Sequence, residues 1–105
     1  MLKLTIAIPN YNGGENLKRA IESCGTIKIP ENDYEILIVD NKSTDNSIKI
    51  ANEMKIKFTN IRIVQNEKNL GRIQNWNISI EKAKGRYLIF LFANDLINEK
   101  NNIHE

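Results

Sequence analysis

Two polar side chains directly follow an aliphatic stretch of the sequence. Residues 36–39 are four consecutive aliphatic residues, and Asp40 and Asn41 come next. A carboxylate only accepts hydrogen bonds, whereas an amide both accepts and donates, so this pair can recognise polar groups of a bound ligand. The other interpretation is that Asp40 accepts hydrogen bonds from backbone amides of the turn that follows it. The sequence leaves both roles open.

The strand that carries this pair is predicted to be central in a sheet. Four aliphatic residues in a row cannot alternate between a buried and an exposed face, so both faces are expected to be covered. In open α/β sheets, ligands bind in the crevice beyond the carboxyl ends of the strands. We therefore expect Asp40 and Asn41 at a binding edge.

A helix is predicted to begin just after this edge. Ser43 or Thr44 offers a side-chain oxygen as the N-cap, and Asp45 falls in the first turn, where the helix dipole favours negative charge. Capping accounts for these three residues, so their expected role is structural. The apolar residues at helical spacing that follow are Ile48, Ala51 and Met54.

Strands and helices alternate along the rest of the chain. A strand at residues 4–8 is expected to end at Pro9, which lacks an amide hydrogen. Further strands are predicted at 61–64 and 87–92. The first helix carries Leu17, Ala20, Ile21 and Cys24 on its apolar face, and the third carries Ile73, Trp76, Ile80 and Ala83. This order predicts an α/β fold of three layers, with helices on both faces of a parallel, Rossmann-like sheet of about four strands.

Composition excludes several classes of protein. The 105 residues are 41% hydrophobic and 27% charged, which suits one globular domain. A net charge of +2 without a basic stripe argues against a nucleic-acid partner. The lone Cys24 excludes an internal disulfide and a cysteine metal cluster. Sixteen asparagines are scattered through every segment, a pattern more typical of an AT-rich genome than of a functional signal.

No membrane-spanning or export segment is predicted in this chain. The longest apolar run, residues 87–93, is far shorter than the ~18 residues of a transmembrane helix. The N-terminus enters a strand directly and lacks the separate regions of a signal peptide. A cytoplasmic location is therefore expected.

Several short motifs follow the predicted strands in order. They are Ile8-Pro9-Asn10-Tyr11-Asn12, then Asp40-Asn41-Lys42-Ser43-Thr44-Asp45, then Asn66-Glu67-Lys68-Asn69-Leu70-Gly71 with Asn77, then Ala83-Lys84-Gly85, and finally Phe92-Ala93-Asn94-Asp95. Together they resemble the N-terminal half of the family 2 glycosyltransferases, which have the nucleotide-sugar-binding GT-A fold. The resemblance spans nearly the whole chain.

The resemblance implies a site for a nucleotide-sugar donor. In the family the first loop wraps the nucleotide, so Pro9 and Tyr11 would line the base and ribose. Alternatively, Pro9 only ends a strand and Tyr11 covers the edge of the sheet. Asn41 stands where the family has a second acid that accepts hydrogen bonds from the base. The nucleotide-binding residues implied are Pro9, Asn10, Tyr11, Asp40, Asn41 and Gly71.

The activity implied by the resemblance is inverting sugar transfer in cell-surface polysaccharide synthesis. A hydroxyl of a saccharide or lipid-linked acceptor, deprotonated by a carboxylate base, attacks the anomeric carbon while the nucleoside diphosphate departs. No catalytic residue is assigned, because the family's base lies in its C-terminal half. We expect residues 1–105 to be the truncated N-terminal part of such a domain, in the cytoplasm or peripheral to the inner membrane face.

The last motif departs from the family pattern. Family members hold a divalent cation, magnesium or manganese, with Asp-x-Asp, and this cation neutralises the diphosphate. Here the two positions are Phe92 and Asn94, and only the following Asp95 is acidic. Asn94 and Asp95 are therefore the metal ligands expected, with reduced affinity. Trp76 also stands where many members carry Arg, and Lys42 replaces the usual Gly; core packing is the default interpretation of Trp76.

Two other functions remain as alternatives. A catalytically silent module that binds a nucleotide or a partner would explain the altered Asp-x-Asp motif. A receiver domain phosphorylated at Asp40 would also alternate strands and helices. That function requires an acidic pair after the first strand to hold magnesium, and Pro9, Asn10 and Tyr11 supply none. The receiver interpretation is therefore disfavoured.

Overall fold

Strands and helices alternate through residues 2–93, the part of the chain that the computed structural model describes. The strands are β1 (Leu4–Asn10), β2 (Tyr34–Asp40), β3 (Ile61–Gln65) and β4 (Tyr87–Phe90), and the helices are α1 (Glu15–Cys24), α2 (Ser47–Lys57) and α3 (Arg72–Lys82). A short 3₁₀ helix, Glu31–Asp33, precedes β2. The predicted alternation of strands and helices is confirmed.

All four strands run parallel, in the spatial order β3-β2-β1-β4. The chain proceeds outward from β1 to β3 and then returns to the other side of β1 as β4. Right-handed crossovers consequently place α1 and α2 on one face of the sheet and α3 on the other. The strand order reverses beside β1, and the crevice beyond the carboxyl ends at such a reversal is where α/β folds bind ligands.

The core is built around β2, whose seven residues are all buried. Ile36 and Ile38 pack in one cluster with the buried residues of α1 and α2. Leu37 and Val39 are also fully buried, so both faces of the strand are covered, as the aliphatic run predicted. The apolar face predicted for α1 is confirmed, since its buried residues are Leu17, Ala20, Ile21 and Cys24.

Pro9 lies inside β1 rather than after its end. It pairs with Val39 of β2. The backbone groups of alternate residues in a strand point to the same side. The carbonyl of Ala7 accepts a hydrogen bond from the backbone nitrogen of Leu91, after β4, so the nitrogen of Pro9 also faces the β4 side. The carbonyl of Asn10 faces β2 and accepts a hydrogen bond from the backbone nitrogen of Asn41. The described pairing of β1 with β4 ends at Ala7. The strand therefore accommodates a residue that cannot donate.

The apolar face predicted for α3 is wrong. The buried residues of this helix are Asn75 and Ser79, whereas Ile73 and Ile80 are 59% and 55% exposed. Asn75 donates from Nδ2 to the carbonyl of Val39 over 3.0 Å, and Ser79 donates to the carbonyl of Asn75 over 3.0 Å. These bonds allow a polar face to be buried against the sheet.

The N-cap predicted for α2 is also wrong. The helix begins at Ser47, and Asn46 makes no side-chain cap. Instead, Oδ1 of Asp45 accepts a hydrogen bond from the backbone nitrogen of Ser47 over 2.9 Å. The hydroxyl groups of Ser43 and Thr44 are bonded to residues of the β1–α1 loop instead.

Candidate functional site

A cleft of about 560 Å³ opens beyond the carboxyl ends of β1 and β2, against the first turns of α3 and the residues after β4. It lies where the strand order reverses. Pockets for small molecules and cofactors have volumes of about 300–1,000 Å³, so the cleft is large enough for such a ligand. Its lining residues are Pro9, Asn10, Tyr11, Asn41, Asn69, Gly71, Arg72, Asn75, Trp76, Phe92 and Ala93.

Five of the six nucleotide-binding residues proposed from the sequence line this cleft: Pro9, Asn10, Tyr11, Asn41 and Gly71. They belong to three segments that are distant in sequence and that the parallel strands bring to one edge. Tyr11 is 49% exposed, so much of its side chain is free to contact a ligand. Gly71 adopts a φ of 87°, a conformation that side chains other than glycine rarely adopt.

Asp40, the sixth residue, lies behind the cleft wall and is fully buried. Its Oδ1 accepts hydrogen bonds from Nδ2 of Asn10 over 2.9 Å and from Oγ of Ser43 over 2.6 Å. Its Oδ2 accepts one from the backbone nitrogen of Ser43 over 2.9 Å. Asp40 thus accepts a hydrogen bond from a backbone amide of the turn that follows it, which is the second of the two roles considered from the sequence. Through them the carboxylate orients Asn10 and the loop after β2.

Asn12 joins the loops that follow β1 and β2. Its Oδ1 accepts hydrogen bonds from the backbone nitrogens of Thr44 over 2.8 Å and Asp45 over 3.2 Å. Its own backbone nitrogen donates to Oγ of Ser43 over 2.9 Å. Asn12 has a φ of 55°, which asparagine tolerates better than most residues. The loop bearing Tyr11 is thereby held against the loop bearing Asn41.

Four asparagines form a hydrogen-bonded group between β2 and α3, here called the asparagine cluster: Asn41, Asn66, Asn69 and Asn75. Nδ2 of Asn66 donates to Oδ1 of Asn41 over 3.0 Å and to Oδ1 of Asn75 over 2.7 Å. Nδ2 of Asn41 donates to Oδ1 of Asn69 over 2.9 Å. A buried polar group without a partner costs about 1–3 kcal/mol, so these bonds fix the loop between β3 and α3.

An aromatic wall bounds the cleft on the side of β4. The rings of Trp76 and Phe92 lie 5.3 Å apart at an angle of 50°, and Phe90 stacks on Phe92 at 6.0 Å. The guanidinium of Arg72 lies 5.6 Å from the centre of the Trp76 ring, within the range of a cation–π interaction. Trp76 is thus part-buried and lines the cleft, and it is not among the buried core residues.

Arg72 is the one charged side chain among the described residues that line the cleft. Within residues 2–93, no carboxylate lies in ion-pair contact with its guanidinium. Arg62, by contrast, is held by Glu35 at 2.9 Å. The electrostatics of the cleft therefore favour an anionic ligand.

The described residues at the end of β4 supply no ligand for a divalent cation. Phe92 occupies the first motif position, and its ring packs against Trp76 and offers no ligand atom. Residues 2–93 contain no group of three His, Cys, Asp or Glu side chains that could hold a metal ion. Asn94 and Asp95 lie outside the described residues. Magnesium and manganese prefer carboxylate oxygens, which this part of the cleft lacks.

The sequence profile of glycosyl transferase family 2 matches residues 5–103, nearly the entire chain. The chain belongs to glycosyl transferase family 2. The resemblance inferred from the loop motifs is therefore confirmed, and the receiver-domain interpretation is excluded.

Relatives of this family 2 chain include two polymer-modifying enzymes. It is 35% identical over 100 residues to a poly(ribitol-phosphate) beta-glucosyltransferase of Bacillus spizizenii, an alignment that covers 94% of the chain and 16% of the relative. It is 33% identical over 101 residues to the poly(ribitol-phosphate) beta-N-acetylglucosaminyltransferase TarP of Staphylococcus aureus, with 95% and 31% covered. The chain thus spans less than a third of the length of these relatives.

Solved structures of glycosyltransferases superpose on the chain closely. S. aureus TarS 1-349 matches with a TM-score of 0.85 and 26% identity, over 95% of this chain and 30% of that TarS segment. The same TarS segment in complex with UDP-GlcNAc also gives 0.85. The mannosyltransferase PcManGT from Pyrobaculum calidifontis, with GDP-Man and Mn²⁺, gives 0.85 at 18% identity and shares the fold. The predicted GT-A fold is confirmed.

Two cleft residues of this family 2 chain, Arg72 and Asn75, are not identified by the sequence analysis. The signal for Asn75 is its spacing of four from Ser79, which places both on one face of α3. The signal for Arg72 is the same spacing from Trp76, which makes the two side chains neighbours on the helix surface. The first signal is hard to see in the sequence, because asparagines are scattered through every segment.

Proposed function

We propose that this chain binds a nucleotide-sugar donor in the cleft and is the donor-binding part of an inverting glycosyltransferase. The observation that carries the proposal is the arrangement of Pro9, Tyr11, Asn41 and Gly71 around one cleft at the carboxyl edge of the sheet. The TarS structure with UDP-GlcNAc supports it, because its fold matches this chain over 95% of the length at 26% identity.

The base and ribose are proposed to pack against Tyr11 and Pro9. The exposed ring of Tyr11 offers a flat apolar face, and covering it with a ligand removes apolar area from water. The amide of Asn41 is already hydrogen-bonded to Asn69 and to the carbonyl of Gly71, so its proposed role is to hold this loop in place beside the cleft. Asp40 acts in the same way by orienting Asn10.

The reaction proposed is attack of an acceptor hydroxyl on the anomeric carbon of the donor sugar. The new carbon–oxygen bond forms as the bond to the diphosphate breaks, and the hydroxyl proton passes to a carboxylate base. The described cleft lining contains no Asp, Glu or His, so the base is proposed to lie outside it. Purified alone, the 105 residues are expected to bind the donor without transferring sugar, since catalysis requires both reactants to be held together.

A divalent cation, magnesium or manganese, has a reduced role in this proposal. Its ligands would be Asn94 and Asp95, and the first motif position is the apolar Phe92. One carboxylate and one amide bind a hard cation more weakly than the two carboxylates of the family motif. We therefore propose that cation binding here is weak.

The acceptor is proposed to be a cell-surface polymer, either a saccharide or a lipid-linked one, because the relatives glycosylate poly(ribitol-phosphate). We place the protein in the cytoplasm, or peripheral to the inner membrane face, where nucleotide sugars are available. No helix within residues 2–93 has the length and apolar character of a membrane span. Residues 1–105 are proposed to be the N-terminal part of a larger transferase domain.

Titration of the chain with UDP, GDP and dTDP, followed by NMR, tests this function. Amide signals of Tyr11, Asn41 and Gly71 should shift with at least one nucleotide. Tyr11→Ala should weaken binding by about tenfold, the equivalent of about 1.4 kcal/mol. Tyr87→Ala is the matched control, because Tyr87 is also exposed but lies on β4 away from the cleft lining. Absence of any shift at millimolar nucleotide would refute the proposed site.

A second candidate is a catalytically silent module of the same family, favoured by Phe92 at an acidic motif position. Such a module would bind nucleotide in the same cleft. Sugar transfer or donor hydrolysis by the intact protein that contains these residues distinguishes the two. Nucleotide binding without either reaction would select the silent module.

A further inference from the structure

We propose that Arg72, stacked on Trp76, binds the diphosphate of the nucleotide donor and takes the place of the carboxylate-held divalent cation. This inference rests on the proposed function, because it assigns the residue that meets the donor's negative charge. It also departs from the family pattern, in which a cation held by Asp-x-Asp carries out that task.

The charge of the cleft favours Arg72 as the partner of the diphosphate. A nucleoside diphosphate is a multiply charged anion, and removing it from water requires a compensating positive charge. Among the described lining residues, Arg72 alone is charged, and it has no carboxylate partner within residues 2–93 that would compete for its guanidinium. A planar guanidinium also matches phosphate oxygens with two parallel hydrogen bonds.

The side chain of Arg72 is held in place by an aromatic neighbour on the same helix. The helix places residues 72 and 76 on adjacent turns, and the guanidinium lies 5.6 Å from the ring centre of Trp76. The ring of Phe92 also packs against Trp76, with the ring centres 5.3 Å apart. The aromatic ring of Trp76 thus holds the guanidinium of Arg72 beside the cleft.

The start of α3 also carries positive charge toward the cleft. Gly71 precedes the helix without a side-chain cap, and the first turn contains no acidic residue. The positive end of the helix dipole therefore faces the cleft beside Arg72 without a neutralising carboxylate, which adds to the attraction for an anion.

The first position of the family's metal-binding motif is aromatic here. Phe92 belongs to the aromatic wall and cannot ligate a metal. With Phe92 at a position where the family motif has a carboxylate, the guanidinium of Arg72 is the positive charge available to the phosphates among the described cleft residues.

The test compares a nucleoside with its diphosphate. The ligands are the nucleoside diphosphate that binds most tightly among UDP, GDP and dTDP, and the corresponding nucleoside. Each ligand is titrated separately by calorimetry into wild type, Arg72→Gln and Arg72→Lys. Every titration is done once in EDTA and once in manganese. Arg86→Gln is the matched control, since Arg86 also lies over an aromatic ring, Tyr87 at 5.8 Å, but does not line the cleft.

We expect Arg72→Gln to weaken diphosphate binding by about 10- to 100-fold, as for the loss of hydrogen bonds from a charged group, and to leave nucleoside binding unchanged. Arg72→Lys should keep part of the affinity that Arg72→Gln loses, and Arg86→Gln should bind the diphosphate as tightly as wild type. The diphosphate should bind wild type equally in EDTA and manganese.

Three results would overturn the inference. If Arg72→Gln loses equal affinity for nucleoside and diphosphate, Arg72 contacts the base or ribose. If its affinity for the diphosphate is unchanged, Arg72 is not part of the site. If wild type binds the diphosphate only in manganese, a divalent cation meets the phosphates. In each of these cases the proposed function survives, because the wild type still binds nucleotide. Failure of every nucleotide and nucleoside to bind wild type would instead refute the proposed function itself.

Discussion

Nδ2 of Asn66 donates a hydrogen bond to Oδ1 of Asn41 over 3.0 Å, and this bond links the loop after β3 to the end of β2. The same Oδ1 accepts a bond from the backbone nitrogen of Leu70 over 2.9 Å. Nδ2 of Asn41 donates in turn to Oδ1 of Asn69 and to the carbonyl of Gly71. Asn41 is therefore used as both an acceptor and a donor, which an aspartate cannot be.

Asn41→Asp, which restores the acid common in the family, should destabilise this protein. The carboxylate would face two acceptors with no proton to donate, so we expect a loss of about 2–3 kcal/mol in the free energy of unfolding. Urea denaturation measures it. Asn77→Asp, which adds the same charge at an exposed position of α3, should change stability by less than about 0.5 kcal/mol. Equal effects of the two variants would show that the cluster is unimportant.

Glu35 should make stability depend on pH in the acid range. Burial raises the pKa of this carboxyl, but hydrogen bonds from Arg62, Thr5 and the backbone nitrogen of Lys84 outweigh burial and hold the pKa below its ordinary value of 4.5. A lowered pKa in the folded state means that the stabilisation is complete above about pH 4.5. It is lost as the pH falls through the folded-state value.

Glu35→Gln should accordingly lower the free energy of unfolding by about 1.5–3 kcal/mol at neutral pH and by progressively less as the pH falls below about 4.5. Denaturation by urea at a series of pH values checks both. The exposed Glu53→Gln on α2 should leave the pH profile as in wild type. A profile for Glu35→Gln that parallels wild type down to low pH would contradict the prediction.

Lys42→Gly should stabilise the protein. Lys42 has a φ of 64°, where a side chain costs about 1–2 kcal/mol, and the greater freedom of glycine in the unfolded chain offsets part of the gain. We expect a net increase of about 0.5–1 kcal/mol in thermal or urea denaturation. Lys49→Gly, in the first turn of α2, where φ is helical, should instead destabilise by up to about 1 kcal/mol. A loss of stability in both variants would argue against a strained Lys42.

Asn94→Asp should tighten manganese binding in the presence of nucleoside diphosphate, by about tenfold or more, because a carboxylate strengthens a hard-cation site. Asp95→Ala should weaken whatever binding exists. Calorimetry with the same nucleotide and metal compares both variants with wild type, and Asn77→Asp controls for the added charge. If manganese affinity is unchanged while nucleotide still binds, the end of β4 does not face the diphosphate, and the silent module gains support.

The sequence by itself determined the order of elements, the central position of β2 and the inward face of α1. These features depend on local properties. Four aliphatic residues before Asp40 leave a strand no polar face, and the spacing of Leu17, Ile21 and Cys24 defines one side of a helix. The loop motifs were recognisable for the same reason, since each is a contiguous run at a strand end.

Only the tertiary structure decided which residues form the cleft and how they are held. Hydrophobic spacing alone placed Ile73 and Ile80 inward on α3, yet the sheet meets the face that carries Asn75 and Ser79. Buried polar groups are stable when their partners are present, and the partners of Asn75 are Val39 and Asn66, 36 and 9 residues away. Asp40 bonds to Asn10 across 30 residues in the same way. Hydrogen-bond partners at such separations follow from how the strands are arranged in space, and local sequence patterns do not encode that arrangement.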